Sequence, residues 1–329
     1  MTVLHSQEDA SINIIENGFE SRFVQRSEDY FIIYLSSQKG CAQHCRMCHL
    51  TATGQTNTAF ASKREFLEQM LHVFEEIKHK DLSKIRKVHV NFMARGEPLT
   101  NPAITQQWGD LSKILADSVR AFFLRTGNRK FGDVIPEVQF IISTIVPYDI
   151  PTSRPVRNTS EQDSINLDPI GKAYALAIMQ FAQAEHSPRI YYSLYSVNPN
   201  VRKKWLPRAM GYEYGLLLLS TYQNLLTLAN KSVKNKIHHA FIKGVNDTDY
   251  EAHRLMTVLD KPEFHSIKKI PFNIVRYNPY DERYGEESEE SRIERVTDIY
   301  HSYGHEVSII PRVGHDVKAS CGMFVENTL

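Results

Sequence analysis

The 329-residue sequence predicts an α/β fold, a partial (β/α)6 TIM-like barrel with short N-terminal and C-terminal extensions. Short β-rich apolar runs alternate with longer amphipathic ones, as repeated βα units in a parallel sheet would require. No Gly-rich dinucleotide fingerprint follows the first strand, which removes one reason to choose a doubly wound sheet. Three cysteines directly follow that strand, at the end of a barrel where active sites lie.

The first strand is Tyr30 to Ser36. Ser62 and Glu65 form a capping box at a helix start, and Phe66, Leu67, Met70, Leu71, Phe74 and Ile77 recur behind it at helical spacing. Ile85 to Ala94 is the next strand, followed by a helix carrying Trp108, Leu111, Leu115 and Phe122. The alternation continues with strand Val138 to Thr144, helix Lys172 to Ala184 and strand Arg189 to Leu194. Helix Tyr214 to Ala229, strand Lys236 to Ile242, helix Tyr250 to Leu259 and strand Ile267 to Val275 come next. A helix from Ser291 to Tyr303 leads into a strand from Glu306 to Ile310. Pro151 to Asp168 is polar and turn-rich and reads as a long loop on the active rim. The expected divisions are an extension over 1–29, a barrel core over 30–304 and a strand and loop over 305–329.

Apolar content of 42% and charged content of 23% suit a soluble globular chain. The longest aliphatic run, Leu216 to Leu219, is far short of a membrane span. The first residues lack the basic start and apolar stretch of a signal peptide. Four cysteines, three of them clustered, do not make a disulfide framework and point to a reducing, cytoplasmic compartment. A net charge of +1 neither supports nor excludes nucleic acid, because a local patch can bind phosphate.

Cys41, Cys45 and Cys48 form a C-x3-C-x2-C run. A cubane iron–sulfur cluster normally takes four thiolates, so three would leave one iron open. An open position marks a working metal site. The spacing favours a [4Fe–4S] cluster whose free iron binds S-adenosylmethionine (SAM). The competing arrangement is a zinc site using His44 or His49, although Cys41 and Cys45 are too far apart for the usual C-x2-C pair.

The cysteine run and the strand ends after it resemble the radical SAM superfamily, in its RlmN and Cfr branch of RNA adenine methyltransferases. The matching stretches are SSQKGCAQHCRMC at 36–48, FMARGEPLTN at 92–101, STIVP at 143–147 and SLYSVNPNVR at 193–202. GVND at 244–247, NP at 278–279 with SRI at 291–293, and GHDVKASCG at 314–322 complete the series. The resemblance implies that Cys41, Cys45 and Cys48 hold the cluster. It implies that Gly96, Glu97 and Pro98 receive the ammonium of SAM, and that Ser143, Thr144, Ser193 and Asn246 fix its ribose and carboxylate. Read alone, such residues are more often turn carboxylates and local caps.

Cys321, in a D-x4-C-G stretch with Asp316, matches the covalent methyl carrier of that branch. The resemblance implies the following course: one SAM methylates the carrier sulfur. A second is cleaved to a 5′-deoxyadenosyl radical that takes hydrogen from the S-methyl group, and the carbon radical adds to carbon 2 or carbon 8 of adenine. The implied partners are RNA (rRNA or tRNA) and an electron donor such as flavodoxin, with a monomeric enzyme and no membrane.

The chain departs from the branch in several places. The resolving cysteine, seven residues before the first cluster cysteine, is replaced by Tyr34. A phenol cannot perform thiol–disulfide chemistry. Only 40 residues precede Cys41, where the branch carries a larger RNA-gripping domain, and Met323 stands where glutamine is usual. A branch glutamate that works near the target base is matched by Glu20 across a one-residue gap; a solvated surface carboxylate is its competing reading. Two basic groups, Arg202, Lys203, Lys204 and Arg208 around Trp205, and Lys231, Lys234 and Lys236, would suit phosphates or simply a solvated helix face. Besides RNA methylation, the sequence admits radical chemistry diverted to another nucleic acid or nucleotide, or a non-catalytic RNA-binding protein.

Overall fold

A computed structural model describes residues 1–127, 133–151 and 167–326. Its described strands form one ten-stranded sheet in sequential order. β1 (Thr2–His5), β2 (Ile12–Glu16), β3 (Phe19–Gln25) and β4 (Tyr30–Tyr34) pair antiparallel. From β4 onward the pairing is parallel, through β5 (Lys87–Phe92), β6 (Glu137–Thr144), β7 (Arg189–Tyr192), β8 (Lys236–Ala240), β9 (Phe272–Val275) and β10 (Val307–Ile310). The expected (β/α) order is present. The N-terminal extension is not loose chain: β1 to β3 continue the sheet beyond the barrel's first strand.

The crossovers carry α1 (His49–Ala52), α2 (Lys63–Ile77), α3 (Pro102–Thr105), α4 (Trp108–Arg125), α5 (Leu167–Gln183), α6 (Pro199–Trp205), α7 (Tyr212–Leu228), α8 (Asp249–Leu259) and α9 (Glu290–Ser302). Ser62 and Glu65 form both halves of the capping box that starts α2. The α2 face buries Phe66, Met70, Val73, Phe74 and Ile77, whereas Leu71 is exposed. Residues 152–166 of the expected rim loop lie outside the described residues. The strand expected over 267–275 is shorter, because Pro262–Ile267 is a 3-10 turn.

The apolar core lies between the sheet and the helices. Trp108 of α4 is its hub, with ring centroids 5.7 Å from Phe92, 5.5 Å from Phe140 and 5.4 Å from Phe181. Its indole N–H donates to the His186 carbonyl at 2.9 Å, so burial leaves no orphan donor. The sheet curls until its last strand approaches the turn between β3 and β4: Arg26, just past β3, donates to the Pro311 carbonyl, just past β10, at 3.0 Å. The barrel is closed there by a side chain rather than by a ladder.

Candidate active site

Cys41, Cys45 and Cys48 lie in the loop between β4 and α1. The Cys41 N–H donates to the Gln55 carbonyl at 2.9 Å, and Arg46 N–H to the Trp205 carbonyl at 2.9 Å. A Cβ on Gly40 would sit 2.8 Å from the Asn57 nitrogen, so this close return of the chain requires glycine. His44 adopts φ 53°, turning the backbone between the first two thiols. The three cysteines line one cavity of about 150 Å³, together with Gly96, Glu97, Ser143, Thr144, Ser193, Tyr195 and Cys321. Burial first, then the neighbouring thiol, pushes Cys41 upward; burial pushes Cys48 up to about 11. Cys45 is likewise held well above the ordinary thiol range by burial, then by both other thiols.

Gly96 has φ 97°, and a Cβ there would lie 2.8 Å from the Gln38 nitrogen. Glycine therefore lets the exit of β5 press against the exit of β4. Gln38 accepts the Glu97 N–H at 2.9 Å, and Pro98 opens a 3-10 turn. The Glu97 carboxylate accepts from Leu99 N–H and Ile145 N–H, each at 3.1 Å. It is 5% exposed, and burial raises it to about 7 against the opposing bonds from Thr144, Ile145 and Leu99. A buried carboxyl beside three thiols, its ionisation opposed by burial, can pair with a cation.

Ser143 and Ser193 end β6 and follow β7, their hydroxyl oxygens 3.4 Å apart. The Thr144 hydroxyl accepts from Val146 N–H at 2.8 Å, and Val146 sits at φ 57°, costly for a β-branched residue. Asn246 does not line this cavity. Its amide bonds the carbonyls of Tyr195 and Ala240 at 2.9 and 3.0 Å and accepts Ile242 N–H at 2.8 Å. It braces the exit that carries Tyr195.

Cys321 is reached by solvent through the cavities yet ringed by protein, which pushes its thiol upward. Its backbone is anchored from several elements. Asn278 donates to the Cys321 carbonyl at 2.9 Å, and His49 N–H to the Gly322 carbonyl at 3.0 Å. Arg22 of β3 donates to the carbonyls of Ala319, Ser320 and Met323 at 3.1, 3.3 and 2.6 Å. Asp316 accepts from Ser6 and Gln7 at 2.7 and 2.8 Å, tying the loop to the turn between β1 and β2 rather than entering the site.

Glu20 is neither a solvated surface carboxylate nor part of the lining of either cavity near Cys321. It is fully buried, 2.8 Å from Arg22 and 3.0 Å from Arg95, with Asn13 donating at 2.7 Å. Such a triad is retained when every member is satisfied. Here it stiffens the arginines that grip the loop, Arg95 also bonding Gln55 at 2.6 Å and the Val325 carbonyl. Three members of the basic groups are engaged within the protein. Arg202 is buried on the carbonyls of Leu194 and Met210, Arg208 pairs with Asp149, and Lys231 caps the Ala184 carbonyl at 2.8 Å.

Tyr34, at the end of β4, and Cys321 line a second cavity, inside the barrel. Among the described residues no group of three His, Cys, Asp or Glu side chains converges as a single-ion site would. A cubane spreads its ligands over separate irons, and three thiols around one cavity fit that donor set.

No family model matches the chain. Its relatives decide the assignment. It is 26% identical to a protein of Alkaliphilus metalliredigens named "probable dual-specificity RNA methyltransferase RlmN", over 89% of this chain and 66% of that one. A protein of the same name from Prochlorococcus marinus is 24% identical over 98% of this chain and 76% of its own. These likenesses support a place for the chain beside the RlmN/Cfr-type radical SAM family. Its backbone matches a radical SAM methyltransferase of Sphaerobacter thermophilus with a TM-score of 0.66 at 17% identity, covering 98% of this chain and 80% of that one. The fold of that structure is thus shared, and the chain spans about two thirds to three quarters of the length of these curated relatives.

Proposed function

We propose that this chain is a radical SAM enzyme that methylates adenine in RNA, with Cys41, Cys45 and Cys48 holding a [4Fe–4S] cluster and Cys321 carrying the methyl group. The observation that supports it most is the single cavity lined by these three cysteines, Glu97 and Cys321. When bound, the cluster supplies the electron that cleaves SAM. The protein's part is placement. Glu97 gives up its proton and pairs with the ammonium of SAM. Ser143, Thr144 and Ser193 offer hydroxyls to the ribose and carboxylate. Asn278 and Arg22 hold the Cys321 backbone so that its sulfur faces the same cavity. Incubation with methyl-deuterated SAM followed by mass spectrometry tests this reading: a labelled carbon on Cys321 is expected, and an unlabelled Cys321 in active enzyme overturns it.

Tyr34 favours a second outcome on the same site. It stands beside Cys321 where the family's resolving thiol is expected, so the adduct ends through an external thiol or by different chemistry on a smaller nucleotide. Nucleoside mass spectrometry of RNA and nucleotides after turnover separates the two.

A further inference from the structure

The interior of this barrel is polar where such interiors are usually filled by branched aliphatics. Alternate residues of the parallel strands turn inward, and they include His89, Asn91, Arg189, Tyr191, Lys236 and His238. They surround a cavity of about 310 Å³, inside the range of roughly 300–1,000 Å³ that holds small organic ligands.

Its charge is one-sided. Arg22, Arg26, Arg189, Lys236, Arg276 and Arg312 line it, and no carboxylate does among the described residues. Arg22, Arg276 and Arg312 spend their charge on Glu20, Glu290 and Glu287. Arg26, Arg189 and Lys236 form no ion pair among the described residues; Lys236 donates to the neutral Asn273 at 2.9 Å, and Arg26 to a carbonyl. Unpaired charge in such a place is costly without a partner. Neutral groups are left open as well. The Arg189 Nε, the Asn91 carbonyl oxygen and His238 Nδ1 are buried without a hydrogen-bond partner, and Asn91 and His238 are 4% and 8% exposed. Aromatic faces complete the wall: Tyr191 stacks on His238 at 5.5 Å.

The cavity is continuous in its lining with the thiol cavity, since Met93, His238 and Cys321 border both. Arg189 and Lys236 are the first residues of β7 and β8, at the strand ends far from the cysteine loop. A base flipped out of an RNA strand enters base first and leaves its phosphates at the mouth. Cations at the floor have no such phosphate to meet. We propose that the lumen binds a free ligand of nucleoside-monophosphate size, with its phosphate on Arg189 and Lys236 and its ring among Tyr34, Tyr191 and His238, next to Cys321. This rests on the reading of Cys321 as the reacting thiol and narrows the second outcome above to a mononucleotide substrate.

The test is calorimetric titration of the full-length, cluster-reconstituted protein with AMP, adenosine and inorganic phosphate. AMP is expected to bind, with adenosine about tenfold or more weaker, and phosphate to compete with AMP. Arg189→Gln and Lys236→Met each weaken AMP about tenfold, while SAM affinity and thermal unfolding show that both variants are folded. Absence of AMP binding, equal affinity for AMP and adenosine, or unaltered AMP affinity in both folded variants overturns the inference. AMP binding without 5′-deoxyadenosine formation would sink the radical reading and leave the lumen site standing. RNA-dependent 5′-deoxyadenosine without AMP binding would do the reverse.

Discussion

On the outer face of the parallel strands, Val88, Val90, Phe92, Phe140, Ile142, Ile190, Ile237 and Phe272 are at most 3% exposed and pack against the helices. On the inner face of the same strands stand His89, Asn91, Arg189, Tyr191, Lys236, His238 and Asn273. Adjacent residues in one strand thus serve opposite ends, because side chains alternate across the pleat. The outer face supplies the buried area that holds the fold. The inner face gives up that contribution, and what it gains is a chamber next to Cys321. Stability and chemistry are separated by one residue of register.

Substitutions can break or sharpen this contrast. The largest effect is expected at the rim: Cys45→Ala should reduce 5′-deoxyadenosine formation to background, while the unfolding free energy of the metal-free chain changes by less than about 1 kcal/mol. Next, Phe140→Ala on the outer face should cost about 3–5 kcal/mol in urea unfolding, whereas Asn91→Ala on the inner face should cost under about 1 kcal/mol. Comparable losses would erase the division between faces. Glu20→Ala should cost about 3–5 kcal/mol, because Arg22 and Arg95 would be left buried and unpaired. Its inclusion with the outer face would show that the loop clamp is structural.

A pH effect comes next. Glu97, raised to about 7 by burial, must be ionised if it meets the ammonium of SAM as proposed. SAM affinity should be flat above pH 7 and fall about tenfold per unit below it; Glu97→Gln should bind weakly with no such slope. Smallest is Ser62→Ala, which removes one half of the α2 capping box and should cost about 1 kcal/mol with no effect on SAM binding.

The barrel was legible because β-rich and 3.6-period runs alternate cleanly from Tyr30 to Ile310, and the cysteine, Gly96-Glu97 and Ser193 stretches sit at strand exits. The N-terminal strands escaped, although Asn17-Gly18, at φ 52° and 82° between β2 and β3, is a hairpin signal that would have revealed them. Arg22 and the burial of Glu20 left no local trace, since the triad assembles with Arg95 across more than 70 positions of chain. The inner face was visible as polar alternation in residues 87–92, but such alternation looks the same facing solvent or a lumen. Lys236 shows the consequence: grouped in sequence with surface lysines, it points into the barrel.

The bonds from the N-terminal strands to the Cys321 loop reach across 297 to 310 positions, from Ala319 to Arg22 and from Asp316 to Ser6. Closing so long a loop gains nothing until the intervening βα units have brought its ends together. The loop should therefore dock late in folding, after the sheet exists. A half-assembled barrel would then have a rim of three thiols without Cys321 beside them, and assembly order itself would keep the fourth sulfur apart from that rim until the chamber around it is complete.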